Sequence, residues 1–244
     1  MKETTLTKLY KKHSDIGSLK SHRFIHGKRW DAKLLEKCLM KIMEDQVNEH
    51  TPEGKVGGMR GQLTRDHIIT AVCLARANEK LKKPTIVSLI DLRACFDKIR
   101  MADVFYDLAV SNIDLKALKI AHDFSKETII RIAGDPDTSR KAPIEESCGQ
   151  GNSIACKGSS LTVGKITDEA IPIENCDGIN DAVVPGRDFV DDVFLANKNT
   201  DAARSNGELL SKAFEVVALE ANPAKSAVIV MGDDEVVEQT RQEL

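Results

Sequence analysis

An α+β fold, with a small, mainly antiparallel sheet carrying helices on one face, is the architecture this sequence predicts. Three observations carry it. Two apolar runs of strand length, "TIVSLID" (85–91) and "SAVIVMG" (226–232), are separated by long stretches of helical periodicity. A third apolar segment, "RDFVDDVFLA" (187–196), is broken at its centre by Asp191 and Asp192, as two short strands meeting at an acidic turn would be. The resulting order is strand, helices, strand, helix, hairpin, helix, strand, which is not the strict alternation of a parallel α/β sheet.

Taken in order, "DAKLLEKCLMKIMEDQV" predicts a helix capped by Asp31, with Leu34, Leu35, Cys38, Leu39, Ile42 and Met43 on its inward face. The glycine-rich "EGKVGGMRGQ" (53–62) predicts a loop. Thr64 can cap a second helix running to about Leu81, with Ile68, Ile69, Val72 and Cys73 inward and Pro84 as its stop. After the strand at 85–91 come helical patterns near 101–110 and 114–125, then a strand in "ETIIRIAG" (127–134). A tight turn at "CGQGN" (148–152) leads into a helix to about Val163, and "AIPI" (170–173) reads as a short strand. "DAARSNGELLSKAFEVVALEA" is helical and precedes the strand at 226–232.

The 244 residues leave room for one sizeable domain or two small lobes. Aromatic residues are only 4% of the chain, so aliphatic side chains must fill the core. No apolar run is long enough to span a membrane, and the start lacks a signal-type apolar segment, so a soluble intracellular protein is expected. The six cysteines form no Cys-x-x-Cys pair and are expected to be reduced, buried thiols. Residues 1–30 carry eight Lys and Arg against two acidic residues, a charge balance that suits phosphates or a plain solvated surface equally.

The carboxylates are the candidates for chemistry. One strand ends in Asp91, and the hairpin carries Asp191 and Asp192 between "FV" and "VFLA". Adjacent aspartates in apolar surroundings are costly without a counter-charge. Divalent cations supply one: Mg²⁺ takes oxygen ligands and keeps sites for waters and phosphates. Two such ions can activate a hydroxyl and stabilise a leaving pyrophosphate. An ordinary exposed acidic turn is the competing reading for Asp191 and Asp192.

In order, "LIDLRACFDKI", "GQGNS", "FVDD" and "NPAKSAVIVMG" resemble the palm motifs of a reverse transcriptase, in particular the non-LTR (LINE-type) retrotransposon enzyme. The first has an aspartate, four residues, then Phe-Asp, as Asp91 and Phe96-Asp97 do. The second has Gln-Gly before a helix, as Gln150 and Gly151 do. The third has an aromatic, a small residue and Asp-Asp, as Phe189 to Asp192 do. The fourth has Asn-x-x-Lys before a strand, as Asn222 and Lys225 do. "GGMRGQLTRDHI" is similar to the glycine- and arginine-rich fingers segment, and "SHRFI" to an early arginine motif.

The resemblance covers roughly residues 20–232 and implies a polymerase palm plus fingers. Residues 1–84 would be fingers-like and 85–244 palm-like, with 115–150 as a further fingers insert. The thumb is expected to be missing, because the chain ends about a dozen residues after the last strand. The implied activity is RNA-directed DNA synthesis, with an RNA template, a DNA primer and dNTP as partners, in cytoplasm or nucleus.

By the same resemblance Asp91, Asp191 and Asp192 hold two Mg²⁺ ions, with Mn²⁺ as a substitute. Phe96 is a steric gate against the ribose 2′-hydroxyl. Gln150 and Gly151 line the nucleotide and template site, and Lys225 meets the triphosphate. Arg65, with Arg23 and Arg60, is a phosphate or template contact. Asp97 is placed to cap the following helix or pair with Lys98 or Arg100. The segment "GNSIACKGSSLTVG" departs from the family, which usually has a proline soon after Gln-Gly. A non-catalytic palm-fold module that binds RNA or protein is therefore a standing alternative. An RNA-templated RNA polymerase is a weaker one, disfavoured by Phe96 and by the lack of Gly before Asp191.

Overall fold

The computed structural model describes residues 3–11, 17–18, 21–52, 54, 65–126, 129–132, 142–143, 153–179, 182–184, 186–189 and 191–244. In chain order the first elements are β1 (Glu3–Tyr10), β2 (His22–Lys28), α1 (Trp30–His50), α2 (Arg65–Lys80), β3 (Thr85–Asp91) and α3 (Cys95–Lys98). Next come α4 (Met101–Val110), α5 (Leu115–Ser125), β4 (Ile129–Ile132), β5 (Ala142–Pro143) and α6 (Ser153–Ala170). After a 3₁₀ turn (Ile173–Asn175) follow β6 (Gly178–Ile179), β7 (Ala182–Val183), β8 (Arg187–Phe189), β9 (Asp192–Asn197), α7 (Thr200–Val216), β10 (Ala227–Met231) and α8 (Asp234–Glu243). These elements form two compact units, residues 1–50 with 96–159 and residues 51–95 with 160–244.

The first unit holds a four-stranded sheet in the order β2-β1-β4-β5. β1 and β2 pair antiparallel, Leu6 opposite His26, and β1 runs parallel to β4. The apolar pattern does not announce β1 or β2, because "ETTLTKLY" is polar and mostly exposed; ladder bonds rather than burial make it a strand. α1 appears where the periodicity puts it, but its buried face is Glu36, Leu39, Met40, Met43 and Val47. Leu34, Leu35, Ile42 and Cys38 are exposed, contrary to the inward face read from the sequence. The helix is turned because Glu36 is buried against Lys28 of β2, which draws the 36/40/43/47 stripe inward. α4 and α5 pack together, and Asp114 caps α5 by accepting from the Ala117 amide at 2.8 Å.

His26 lies buried on β2, and burial holds its imidazole below the usual value of 6.5, with the nearby Asp97 carboxylate opposing and Lys28 assisting. The folded chain then binds fewer protons at this site than the unfolded chain does just below pH 6.5. Stability should therefore rise as pH climbs toward 6.5 and flatten above it. In His26→Gln, melting temperatures measured across that range should lose this part of the slope. Asp97 itself sits inside α3 rather than capping it; burial raises its carboxyl, with His26 and Lys11 pulling it back. Arg100 is engaged by Asp103, at 2.7 and 3.0 Å.

The second unit is built on an antiparallel sheet, β10-β3-β9-β8. Directly opposed residues share a face. Val87 pairs with Ala196, Leu89 with Phe194 and Asp91 with Asp192, so these six lie on one face. Ile86, Ser88, Asn197 and Leu195 lie on the other. α2 covers part of the aspartate face: Leu74 packs with Val87, Phe194 and Ala196, and the His67 ring stacks on Phe194 with centroids 5.7 Å apart. The inward residues of α2 are therefore His67, Leu74 and Asn78, and Ile68, Ile69, Val72 and Cys73 are exposed, the reverse of the sequence reading. Buried polar bonds set this rotation: Asn78 donates to Thr85 Oγ1 and to the buried Asp177, which also holds Lys83 at 2.8 Å.

On the opposite face a chain of amides is buried. Asn175 donates to Asn206, Asn206 to Asn197, and Asn197 to Ser88, at 2.9, 3.0 and 2.9 Å. This places α7 against β3 and β9, with Leu210 and Phe214 wholly buried. α6 continues to Ala170, and Pro172 ends it because it lacks an amide hydrogen, so "AIPI" is a helix end and a 3₁₀ turn rather than a strand. The last residues form α8, which the apolar pattern does not announce. None of the five described cysteines forms a disulfide, and only Cys95 of them is buried.

Candidate active site

Each carboxylate is placed by a strand end. β3 runs out of its apolar stretch at Asp91, where pairing with β9 sets Asp91 directly opposite Asp192. β8 pairs with β9 in the register Phe189 opposite Asp192, and Asp191 stands in the turn between them. The Leu92 amide donates to the Asp191 carbonyl at 3.1 Å, which ties the hairpin turn to the chain leaving β3. The hairpin and the strand tip read from the sequence are thus neighbours in one sheet.

The closeness has an electrostatic consequence. Burial pushes the Asp191 carboxyl up, and the like charges of Asp192 and Asp91 push it further, against Lys225. Asp192 is raised by burial and by Asp91. Asp191 and Asp192, both raised by burial and by neighbouring like charge, form with Asp91 a donor set suited to a hard divalent cation, which would reverse the repulsion. Their all-oxygen chemistry fits such an ion. Among the described residues, however, no three acidic, His or Cys side chains converge into a ready ligand cluster.

Asp91 is held most closely. Asn222 Nδ2 donates to its Oδ2 at 2.8 Å, and Lys225 Nζ to its Oδ1 at 3.3 Å. The Asn222 amide donates to the Asp91 carbonyl at 2.8 Å, and the Asp91 amide to Ser226 Oγ at 3.2 Å. Beside the carboxylates a groove of about 580 Å³ opens between α2 and the sheet, lined by apolar residues such as Ile68, Val72, Leu89 and Ile229, with Asp91, Asp192 and Lys225 also on its wall.

Of the other residues read from the sequence, Arg65 begins α2, is exposed, lies 4.0 Å from Asp66, and does not line the groove. Arg23 is exposed on β2. Phe96 is the second residue of α3, after a left-handed turn at Ala94 (φ +52°), and belongs to the first unit. Gln150, Gly151, Arg60, the cap at Thr64, Cys148 and most of the 53–62 loop lie outside the described residues. Sequence reasoning gave no role to Asn222 or Ser226. The signal was present in "NPAKS", a proline turn bracketed by two hydrogen-bonding side chains directly before a strand.

Residues 10–242 match the family model described as "Reverse transcriptase (RNA-dependent DNA polymerase)". No curated protein sequence matches the chain. Among solved structures it is similar to apo telomerase from Candida tropicalis truncated from its C-terminal domain: TM-score 0.67, 10% identity, 94% of this chain and 50% of that one. Telomerase from Candida albicans in complex with the TWJ fragment of telomeric RNA gives TM-score 0.68 at 11% identity, over 93% of this chain and 41% of that one. At such identities the likeness shows the fold, and the chain spans half or less of the length of these telomerases.

Proposed function

The chain belongs to the reverse transcriptase family, and on that premise we propose that it carries the fingers and palm of an RNA-directed DNA polymerase that adds dNTP to a DNA primer along an RNA template. The observation that supports this most is the register that sets Asp91 opposite Asp192, with Asp191 in the adjoining turn. In this reading Asp91, Asp191 and Asp192 hold two Mg²⁺ ions, or Mn²⁺ in their place. Bound there, the ions would favour the ionised primer 3′-hydroxyl and offset the charge gathering on the pyrophosphate. Lys225, exposed beside Asp91, meets the triphosphate. Phe96 selects the deoxy sugar, Gln150 and Gly151 border the incoming nucleotide, and Arg65 contacts template phosphate. We divide the chain into a fingers-like segment, 1–84, and a palm-like one, 85–244. The order of the four motifs favours a non-LTR retroelement as its source. Among the described residues no helix is long and apolar enough to cross a membrane.

One observation favours the competing reading, a palm-fold module that binds without catalysis: Lys225 Nζ donates to Asp91 Oδ1, an oxygen that a metal would need. Primer extension on an RNA template with Mg²⁺ separates the two. Extension with dNTP supports the polymerase. RNA binding that needs no divalent ion, with no extension, supports the module. If extension occurs, Phe96→Val should raise ribonucleotide use relative to dNTP by on the order of 10–100-fold, since the discrimination is a steric contact of about 1–3 kcal/mol. Unchanged sugar selectivity in a single-nucleotide incorporation assay would remove Phe96 from that role.

A further inference from the structure

We propose that Asn222 is a positioning residue for Asp91: it holds Oδ2 so that Oδ1 alone is presented to a divalent cation. The inference deepens the polymerase reading and rests on it. Residues 220–226 form a clasp along the chain leaving β3. The Arg93 amide donates to the Glu220 carbonyl at 2.8 Å, Leu92 bridges Ala221, and the Asn222 amide donates to the Asp91 carbonyl. The Asn222 carbonyl in turn accepts from the amides of Lys225 and Ser226, at 3.0 and 2.9 Å, and from Ser226 Oγ at 2.9 Å. Pro223 fixes φ at the start of this turn. The backbone of Asn222 is thus fixed from both sides, beside Asp91, and its side-chain amide reaches Oδ2.

The consequence for Asp91 follows from its two oxygens. Oδ2 is committed to a neutral amide anchored in its own turn. Oδ1 faces an exposed lysine on a flexible stem, a partner that a cation can displace. Partners that orient a metal-binding carboxylate typically contribute 10–100-fold to metal affinity. Ser226 Oγ meets the Asp91 backbone amide and the Asn222 carbonyl but makes no bond to the Asp91 carboxylate, and so serves as the control for the turn itself.

The test is Mn²⁺ binding to the full chain, followed by electron paramagnetic resonance without nucleotide or primer, for wild type, Asn222→Ala, Ser226→Ala and Asp191→Asn. Asn222→Ala keeps both backbone bonds of the turn. It should weaken the Asp191-dependent Mn²⁺ site about 10–100-fold, with Ser226→Ala close to wild type. Equal losses in the two variants would make the clasp merely structural and overturn the proposal. So would an Asn222→Ala affinity equal to wild type, while leaving the polymerase reading intact. Wild type with no Mn²⁺ site that Asp191→Asn removes would overturn both.

Discussion

Asp191→Asn is expected to lower metal-dependent primer extension about 1,000-fold or more while leaving the chain at least as stable as before. A carboxylate that helps hold catalytic ions contributes several kcal/mol at the transition state, and each 1.36 kcal/mol is tenfold in rate. Stability should move the other way. Asp191 is raised by burial and by Asp192 and Asp91, so the folded chain favours its protonated form. A raised carboxyl makes the fold lose stability as pH rises above the ordinary value of 3.8. At neutral pH the neutral amide should therefore be tolerated or stabilising. Single-turnover extension and a melting curve on the same preparation check both halves. Lost activity with a lowered melting temperature would mean that Asp191 holds the hairpin rather than a metal.

The largest stability effect is expected at Phe214. Its side chain is wholly buried in α7, and truncation to alanine should cost about 3–5 kcal/mol. Ile68→Ala makes the contrast. Ile68 looks like core in the sequence, yet it is 65% exposed on α2, so its loss should stay within roughly 0.5 kcal/mol. Urea midpoints of the two variants measure the difference. Similar costs would mean that Ile68, on the groove wall, is covered after all.

These two residues also show what the sequence could and could not reveal. Strand tips and hairpins are legible because a carboxylate that interrupts an apolar run has few explanations; Asp91 and Asp191-Asp192 are of this kind. Helix faces are less legible when apolar residues spread over a wide arc. In α1 and α2 the choice of inward face depends on buried polar partners, Glu36 with Lys28 and Asn78 with Asp177, which no periodicity reveals. β1 and β2 are not legible because their stabilisation lies in ladder bonds, to each other and from β1 to β4, rather than in an apolar face. The Asn222 contact escaped because it spans 131 positions of sequence.

The amide chain behind the sheet has a consequence for the carboxylates in front. Strand pairing between aliphatic residues tolerates slippage, because one valine resembles the next. Asn197 and Ser88 do not: sliding β3 past β9 by one residue would point Ser88 away and take from the buried Asn197 amide its side-chain acceptor on β3. The same slip would send Asp91 to the wrong side of the sheet. The Asn175–Asn206–Asn197–Ser88 chain therefore acts as a key that admits a single alignment, the one that brings Asp91 level with Asp192.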